Sequence, residues 1–208
     1  MTPRYHCYPG EPERLSQALA GWQWPRSRAE LPITWQLGAE SLILRELTPA
    51  DGDALVQAYA ELSDRTIYLR FMRAKRRPSA EQVAAFTQFS PEQQCSLLLC
   101  DSAGLPVAHA QSIRRVRQSG RAEFSCLIAD RYQGRGIGRR LLLALALLAR
   151  SEGVSEWLAD VLAENRPMLQ LLHHLGLPLS LVTGRSMVFV RLDLTVLDPW
   201  LGASTKGE

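Results

Sequence analysis

Apolar residues in this chain recur with two periods. Ser41–Leu47 alternates apolar with polar positions, as a half-buried strand does, and Ile33–Leu37 alternates more weakly ahead of a turn at Gly38-Ala39-Glu40. A hairpin leading into the first long strand follows. Thr48-Pro49-Ala50-Asp51 then carries a helix start: a capping hydroxyl, proline at the first helical position, and a carboxylate three residues after the cap. Leu55, Val56, Tyr59 and Leu62 continue it at helical spacing. Further helices are expected over Ser63–Phe71 and Ser79–Phe89, with Ser79 as cap.

The second half reads as strands around one deeply buried helix. Ser96–Cys100 is a continuous apolar run, and Pro106–Val116 and Arg121–Ile128 flank a hairpin turn at Gln118-Ser119-Gly120. Leu141–Leu148 is apolar on nearly all sides, which predicts a helix packed deep against a sheet. Glu156–Leu162 reads as a strand. Asn165 caps a helix ending at Gly176, read as its terminating glycine, and strands at Leu179–Thr183 and Ser186–Leu194 close the order. The fold class that follows is α/β: a mixed, mostly antiparallel sheet with helices on both faces. Residues 1–38, with five prolines and three of the five tryptophans and a short helix at Glu13–Gly21, read as an arm laid over the domain. Residues 39–196 are the domain and 197–208 a tail.

Composition narrows the function classes. The 208 residues, 46% hydrophobic and 22% charged, suit one domain with a short appendage. A net charge of +3 does not argue for nucleic acid. The basic residues are nevertheless clustered, at Arg65, Arg70, Arg73, Lys75, Arg76 and Arg77 and again at Arg114, Arg115, Arg117 and Arg121. Such clusters are solvated faces or attract an anionic ligand or an acidic partner. Leu141–Ala149, the longest apolar run, is too short to span a bilayer, and the first residues lack the apolar stretch of a signal peptide. Cys7, Cys95, Cys100 and Cys126 form no CxxC pair, and reduced thiols in a cytoplasmic protein are expected. Neither a membrane nor a metal is implied.

The candidate chemistry centres on Asp130–Arg150. A strand runs into Gln133-Gly134-Arg135-Gly136-Ile137-Gly138-Arg139, which opens directly into the buried helix. Such a turn aims unpaired N–H groups and the positive end of the helix dipole at one small volume, an anion site suited to a pyrophosphate. Glycines there admit close backbone approach and a left-handed φ. An ordinary glycine-rich turn remains open. A dinucleotide fingerprint is disfavoured: Arg139 replaces its third glycine, and the preceding strand belongs to a hairpin rather than a parallel unit.

Gln133, Gly136 and Gly138 match the Gln/Arg-x-x-Gly-x-Gly/Ala motif, and Asn165, Met168 and Gly176 a second motif, of the GNAT superfamily of acetyl-CoA-dependent N-acetyltransferases, which the chain resembles over about residues 40–195. The stretches Leu44–Asp51, Leu62–Phe71, Ala122-Glu123 and Ala129–Gly138 look like the bacterial Pat-type protein-lysine acetyltransferases within it. In that family the domain is often fused to a cyclic-nucleotide-binding or acyl-CoA-synthetase-like domain. Neither fits before residue 40, so a stripped-down catalytic unit is expected.

The resemblance implies the following roles. Gln133, Gly134, Arg135, Gly136, Ile137, Gly138 and Arg139 cradle the pyrophosphate of acetyl-CoA. The backbone of Leu127, Ile128 and Ala129 holds the pantetheine arm and polarises the thioester carbonyl. Asn165 and Met168 border that arm, with Asn165 equally a plain helix cap. Glu123 is the general base for a lysine amine, or else a strand glutamate paired with Arg121 or another basic side chain. Arg65, Tyr68 and Arg70 border the acceptor cleft. Many family members carry a tyrosine as general acid seven residues after the motif asparagine; here Leu172 stands there, as in the Pat type, and His173 is the adjacent alternative. The expected function is acetyl transfer to a protein lysine in a ternary complex, with an acyl-CoA synthetase as the partner class, by a monomer or homodimer. A small-molecule amine as acceptor, or a non-catalytic acyl-CoA-binding module, are the other readings.

Overall fold

The computed structural model describes residues 4–72, 79–115, 118 and 120–202. Arg73, Lys75, Arg76, Arg77, Val116, Arg117, Ser119 and the end of the expected tail lie outside them.

Among the described residues nine strands form one sheet. In chain order they are β1 (Arg4–Tyr8), β2 (Ile33–Leu37), β3 (Glu40–Glu46), β4 (Gln94–Cys100), β5 (Pro106–Arg114), β6 (Arg121–Ile128), β7 (Glu156–Leu162), β8 (Leu179–Thr183) and β9 (Met187–Asp193). Across the sheet they run β1-β8-β9-β7-β6-β5-β4-β3-β2. Every neighbouring pair is antiparallel except β6 with β7.

Helices cover both faces. α1 (Pro12–Leu19), α5 (Ile137–Ser151) and α6 (Arg166–His173) lie on one side; α2 (Gly52–Ala60), α3 (Asp64–Phe71) and α4 (Ala80–Thr87) lie on the other, and α7 (Asp198–Leu201) ends the described chain. β4 explains its continuous apolar run: Cys95, Leu97 and Leu99 feed the α5 core, while Leu98 and Cys100 feed the α2–α4 core. α5 is buried at every position from Leu141 to Ala149. Thr48 and Asp51 form the expected start of α2 through a 3-10 turn, with Thr48 N–H donating to the Asp51 carboxylate at 2.7 Å. Ser79 and Gln82 exchange bonds at the start of α4.

Three expectations are corrected. Residues 4–37 are woven into the domain rather than laid over it. They supply both edge strands, β1 and β2, and bury Leu15 and Leu19 of α1 in the core. Second, α6 ends at His173, ahead of Gly176. Gly176 has φ +86°, and a Cβ there would meet the Leu15 backbone nitrogen at 3.0 Å. It therefore serves the close approach of α1 rather than the immediate cap of α6. Third, β6 does belong to a parallel unit: β6–α5–β7.

That parallel pair positions the site. It extends only over Arg121–Glu123 and Glu156–Leu158. The Phe124 and Trp157 rings stack at 4.8 Å where the pairing stops. Beyond it β6 and β7 run on without bonding each other, β7 remaining paired with β9 along its length. The splay opens a cleft in the middle of the sheet.

Candidate active site

The cleft encloses about 950 Å³ and joins two chemically different ends. One end is the start of α5. Gly136 caps it in the left-handed region, φ +78°, and Gly134 has φ +72°. No acidic residue stands in the first turn. The N–H groups of Ile137, Gly138 and Arg139 precede the first intrahelical bond, which Arg140 N–H makes to the Gly136 carbonyl. Their residues line the cleft, with the helix dipole behind them. Gly138 is helical with ordinary φ; a Cβ on it would meet Leu171 Cδ2 at 3.1 Å. Its glycine serves packing of α5 on α6, which corrects the conformational role expected for it. Arg139 is partly buried, bonded to the Arg14 carbonyl at 3.3 Å, and burial followed by the nearby Arg14 lowers its pKa. An anion would relieve that arrangement.

The loop is held by side chains rather than aimed by them. Gln133 Nε2 donates to the Ile128 carbonyl at 3.0 Å and to Thr66 Oγ1 at 3.1 Å, so it staples the turn to β6 and α3. Asp130 accepts from Ser63 N–H (2.8 Å), Ser63 Oγ (2.8 Å) and Thr66 Oγ1 (2.7 Å). Burial alone would raise its pKa, but these donors outweigh it and lower the value. Asp130, Ser63 and Thr66 are positioning residues that sequence reasoning missed, because their pairing spans distant segments. Arg135 turns away to Glu40 at 2.6 Å and Ala129 does not line the cleft. Asn165 caps α6, accepting from Met168 N–H at 3.2 Å, and both residues line the cleft.

Strand alternation decides which β6 amides are free. Ala129 N–H donates to the Val107 carbonyl, and Arg115 N–H to that of Arg121. Odd-numbered residues of β6 therefore bond β5, and the backbone of Phe124, Cys126 and Ile128 points toward β7. Past residue 123 no β7 partner meets them. The groups open to an arm in the cleft are those of Cys126 and the N–H of Ile128, whose carbonyl Gln133 holds, rather than those of Leu127 and Ala129 as expected.

The other end is charged and mouthed by apolar residues. Glu123 lines it with its side chain 58% exposed, paired to Arg115 at 2.8 Å; Arg121 pairs with Glu156 instead. Two residues on, the Ser125 hydroxyl accepts from Arg70 Nη2 at 2.7 Å. Arg65 also lines the cleft. Tyr68 does not: its hydroxyl donates to Glu164 at 2.9 Å, which raises its pKa. Met72, Ile113 and Phe189 are exposed apolar side chains at the rim.

A glycine-rich helix start and a carboxylate line one cleft in a splayed sheet, and comparison with known proteins decides the family. Residues 41–178 match the family described as the acetyltransferase (GNAT) domain. The chain belongs to the GNAT acetyltransferases. It is 29% identical over 194 residues to acetyltransferase Pat of Mycolicibacterium smegmatis, covering 91% of this chain and 53% of that protein. The chain thus spans about half the length of that relative. The GNAT domain of S. lividans PAT superposes with a TM-score of 0.72 at 24% identity, covering 82% of this chain and 99% of that one. The acetyltransferase yncA of Salmonella typhimurium, solved with acetyl-CoA, superposes at 0.57 and 20% identity, covering 74% of this chain and 94% of that one.

Helix α6 of this chain carries no Asp, Glu or Tyr. Leu172 is fully buried in the core and does not line the cleft; Leu171 faces it. His173 packs edge-on against Tyr8 at 4.3 Å and is likewise absent from the lining. Of the residues expected at the site, the cleft brings together Glu123, Leu127, Ile128, Gln133, Gly134, Gly136, Ile137, Gly138, Arg139, Asn165, Met168, Arg65 and Arg70. Tyr68, Ala129 and Arg135 stand outside it.

Proposed function

We propose that this GNAT domain transfers acetyl from acetyl-CoA to the ε-amine of a protein lysine, by direct attack in a ternary complex. The observation that carries the reading is the continuity of one cleft from the α5 amides to the Glu123 carboxylate. The likeness to Pat supports the choice of a protein lysine, and acyl-CoA synthetases are the acceptor class that the Pat resemblance implies.

The α5 amides, with Arg139, would hold the pyrophosphate, and the open backbone of Cys126 with the Ile128 N–H would bind the pantetheine arm. A lysine amine with a pKa near 10.4 is about 99.9% protonated at neutral pH, so attack requires a proton acceptor. Glu123 takes that proton. Its exposed ion pair with Arg115 contributes about 0–1 kcal/mol and opens readily to an incoming ammonium. The neutral nitrogen then forms the amide bond to the thioester carbon as the carbon–sulfur bond breaks. The thiolate leaves, and the second proton, shed by the acylated nitrogen as the amide forms, reaches the sulfur through solvent, no side chain of α6 being placed to supply one.

The test is a lysate given the chain and acetyl-CoA, read by mass spectrometry. Acetyl-lysine appearing at defined sites, dependent on both, is expected. CoA release that occurs only with small amines, leaving protein lysines unmodified, contradicts the reading.

A further inference from the structure

We propose that Arg70 is a carboxylate receptor, so that the acceptor carries an anionic group close to the amine that reacts. The proposal rests on the acetyl-transfer reading above and adds the acceptor's chemistry to it.

Arg70 is conspicuous for what surrounds it. It is half-buried on α3 and lines the acceptor end of the cleft. Arg28, Arg45, Arg115, Arg121, Arg135 and Arg150 each sit on a carboxylate. Arg70 has none among the described residues; its hydrogen-bond partner there is the neutral Ser125 hydroxyl. Residues 73–78, which follow α3, contain no Asp or Glu that could complete it. Its guanidinium also lies 5.1 Å from the Phe71 ring centroid. Behind it, His109 is kept neutral by burial and then by Arg70 itself. Burial pushes the Arg70 pKa down, the mark of a cation whose lost hydration has not been replaced by a counter-charge.

Geometry defines the ligand. A guanidinium offers five N–H donors in a planar fork suited to a bidentate carboxylate, and one is engaged here among the described residues. Glu123 and Ser125 are two residues apart on one face of β6, about 7 Å along the strand. The cleft thus presents a negative group and a positive group side by side. An acceptor that places its ammonium at Glu123 and a carboxylate at Arg70 meets both with opposite charge. An Asp or Glu neighbouring the lysine supplies that carboxylate, and so does the carboxylate of an amino acid whose amine is the acceptor.

Paired acceptors test it by CoA release: lysine peptides with Glu or Gln flanking the lysine, and amino acids against their carboxamides. Wild type is expected to show a KM about ten- to a hundredfold lower for the carboxylate member, the scale of a charge-assisted bidentate contact. Arg70→Gln should erase that ratio, and Arg70→Glu should invert it toward a lysine-flanked peptide. Calorimetric acetyl-CoA binding checks that both variants fold. A preference confined to peptides assigns the carboxylate to a flanking side chain, and one confined to amino acids keeps this proposal while overturning the protein-lysine reading. Equal KM values within every pair for wild type, which needs no variant, overturn the proposal alone. A ratio preserved in folded Arg70→Gln also overturns it. Turnover of the Gln-flanked peptides with none of any carboxylate-bearing acceptor overturns this proposal alone, and bound acetyl-CoA with no turnover of any acceptor overturns both readings.

Discussion

His109 sits on β5 with its ring buried against α2, Nδ1 3.1 Å from the Tyr59 hydroxyl and Nε2 without a hydrogen-bond partner among the described residues. Burial, and then Arg70, push its pKa from 6.5 down to about 3. Between those values the unfolded chain binds a proton that the folded chain does not, so stability falls as pH drops through that window. Urea unfolding across it should show the slope, and His109→Gln should flatten it; parallel slopes would contradict the assignment. Asp51 titrates lower. Burial opposes its ionisation, but the Arg45 bridge at 2.6 Å and the Thr48 donors outweigh that and bring it from 3.8 to about 2. Its contribution is present above pH 3.8 and lost as pH falls through about 2. Asp51→Asn should therefore cost about 1–3 kcal/mol at neutral pH and little at pH 2, measured by chemical denaturation. The two residues differ in legibility. Thr48, Pro49 and Asp51 announce a cap by local spacing alone. His109 reads as any strand residue, because its partner Tyr59 lies fifty positions away.

Elements were legible where hydrophobic period and local chemistry agree. β5, β6 and β7 begin and end close to where alternation and the Gly120 turn put them, and Asn165 caps α6 as its side chain suggests. What period cannot convey is which strand lies beside which. The short parallel pairing of β6 with β7, and hence the splay that makes the cleft, depends on β7 being held by β9. The same limit hid the direction of the β6 amides. At the start of α5 the glycines were visible, but only the backbone separates their roles. Gly136 needs its left-handed φ, and Gly138 needs space beside Leu171. Gly136→Val should thus misdirect the first α5 amides. Calorimetry is expected to show acetyl-CoA affinity lowered by at least about tenfold, since a branched residue in that region costs roughly 1–2 kcal/mol. A folded variant with wild-type affinity would remove the α5 start from the cofactor site.

Across the whole molecule, the N-terminal segment closes the structure. β1 is exposed at all five residues and has no apolar alternation to announce it; its bonds to β8 alone make it a strand. Arg28 anchors the same segment, reaching Glu46 and Glu152 and donating to the carbonyls of Pro91 and Gln94. Glu11 N–H donates to the Gly176 carbonyl at 2.9 Å, tying α1 to the end of α6. Gly176→Ala should therefore lower stability by about 1–3 kcal/mol, because its Cβ meets the Leu15 backbone and its φ is left-handed. A Tm within a degree of wild type would show that α1 docks less tightly than the contact implies.

The central claim is that Glu123 takes the proton from the attacking amine. Glu123→Gln preserves shape and removes basicity, so kcat for CoA release with a lysine acceptor should fall about 10²–10⁴-fold while calorimetric acetyl-CoA affinity stays unchanged. Near-wild-type turnover at neutral pH would reduce Glu123 to the ion pair it forms with Arg115.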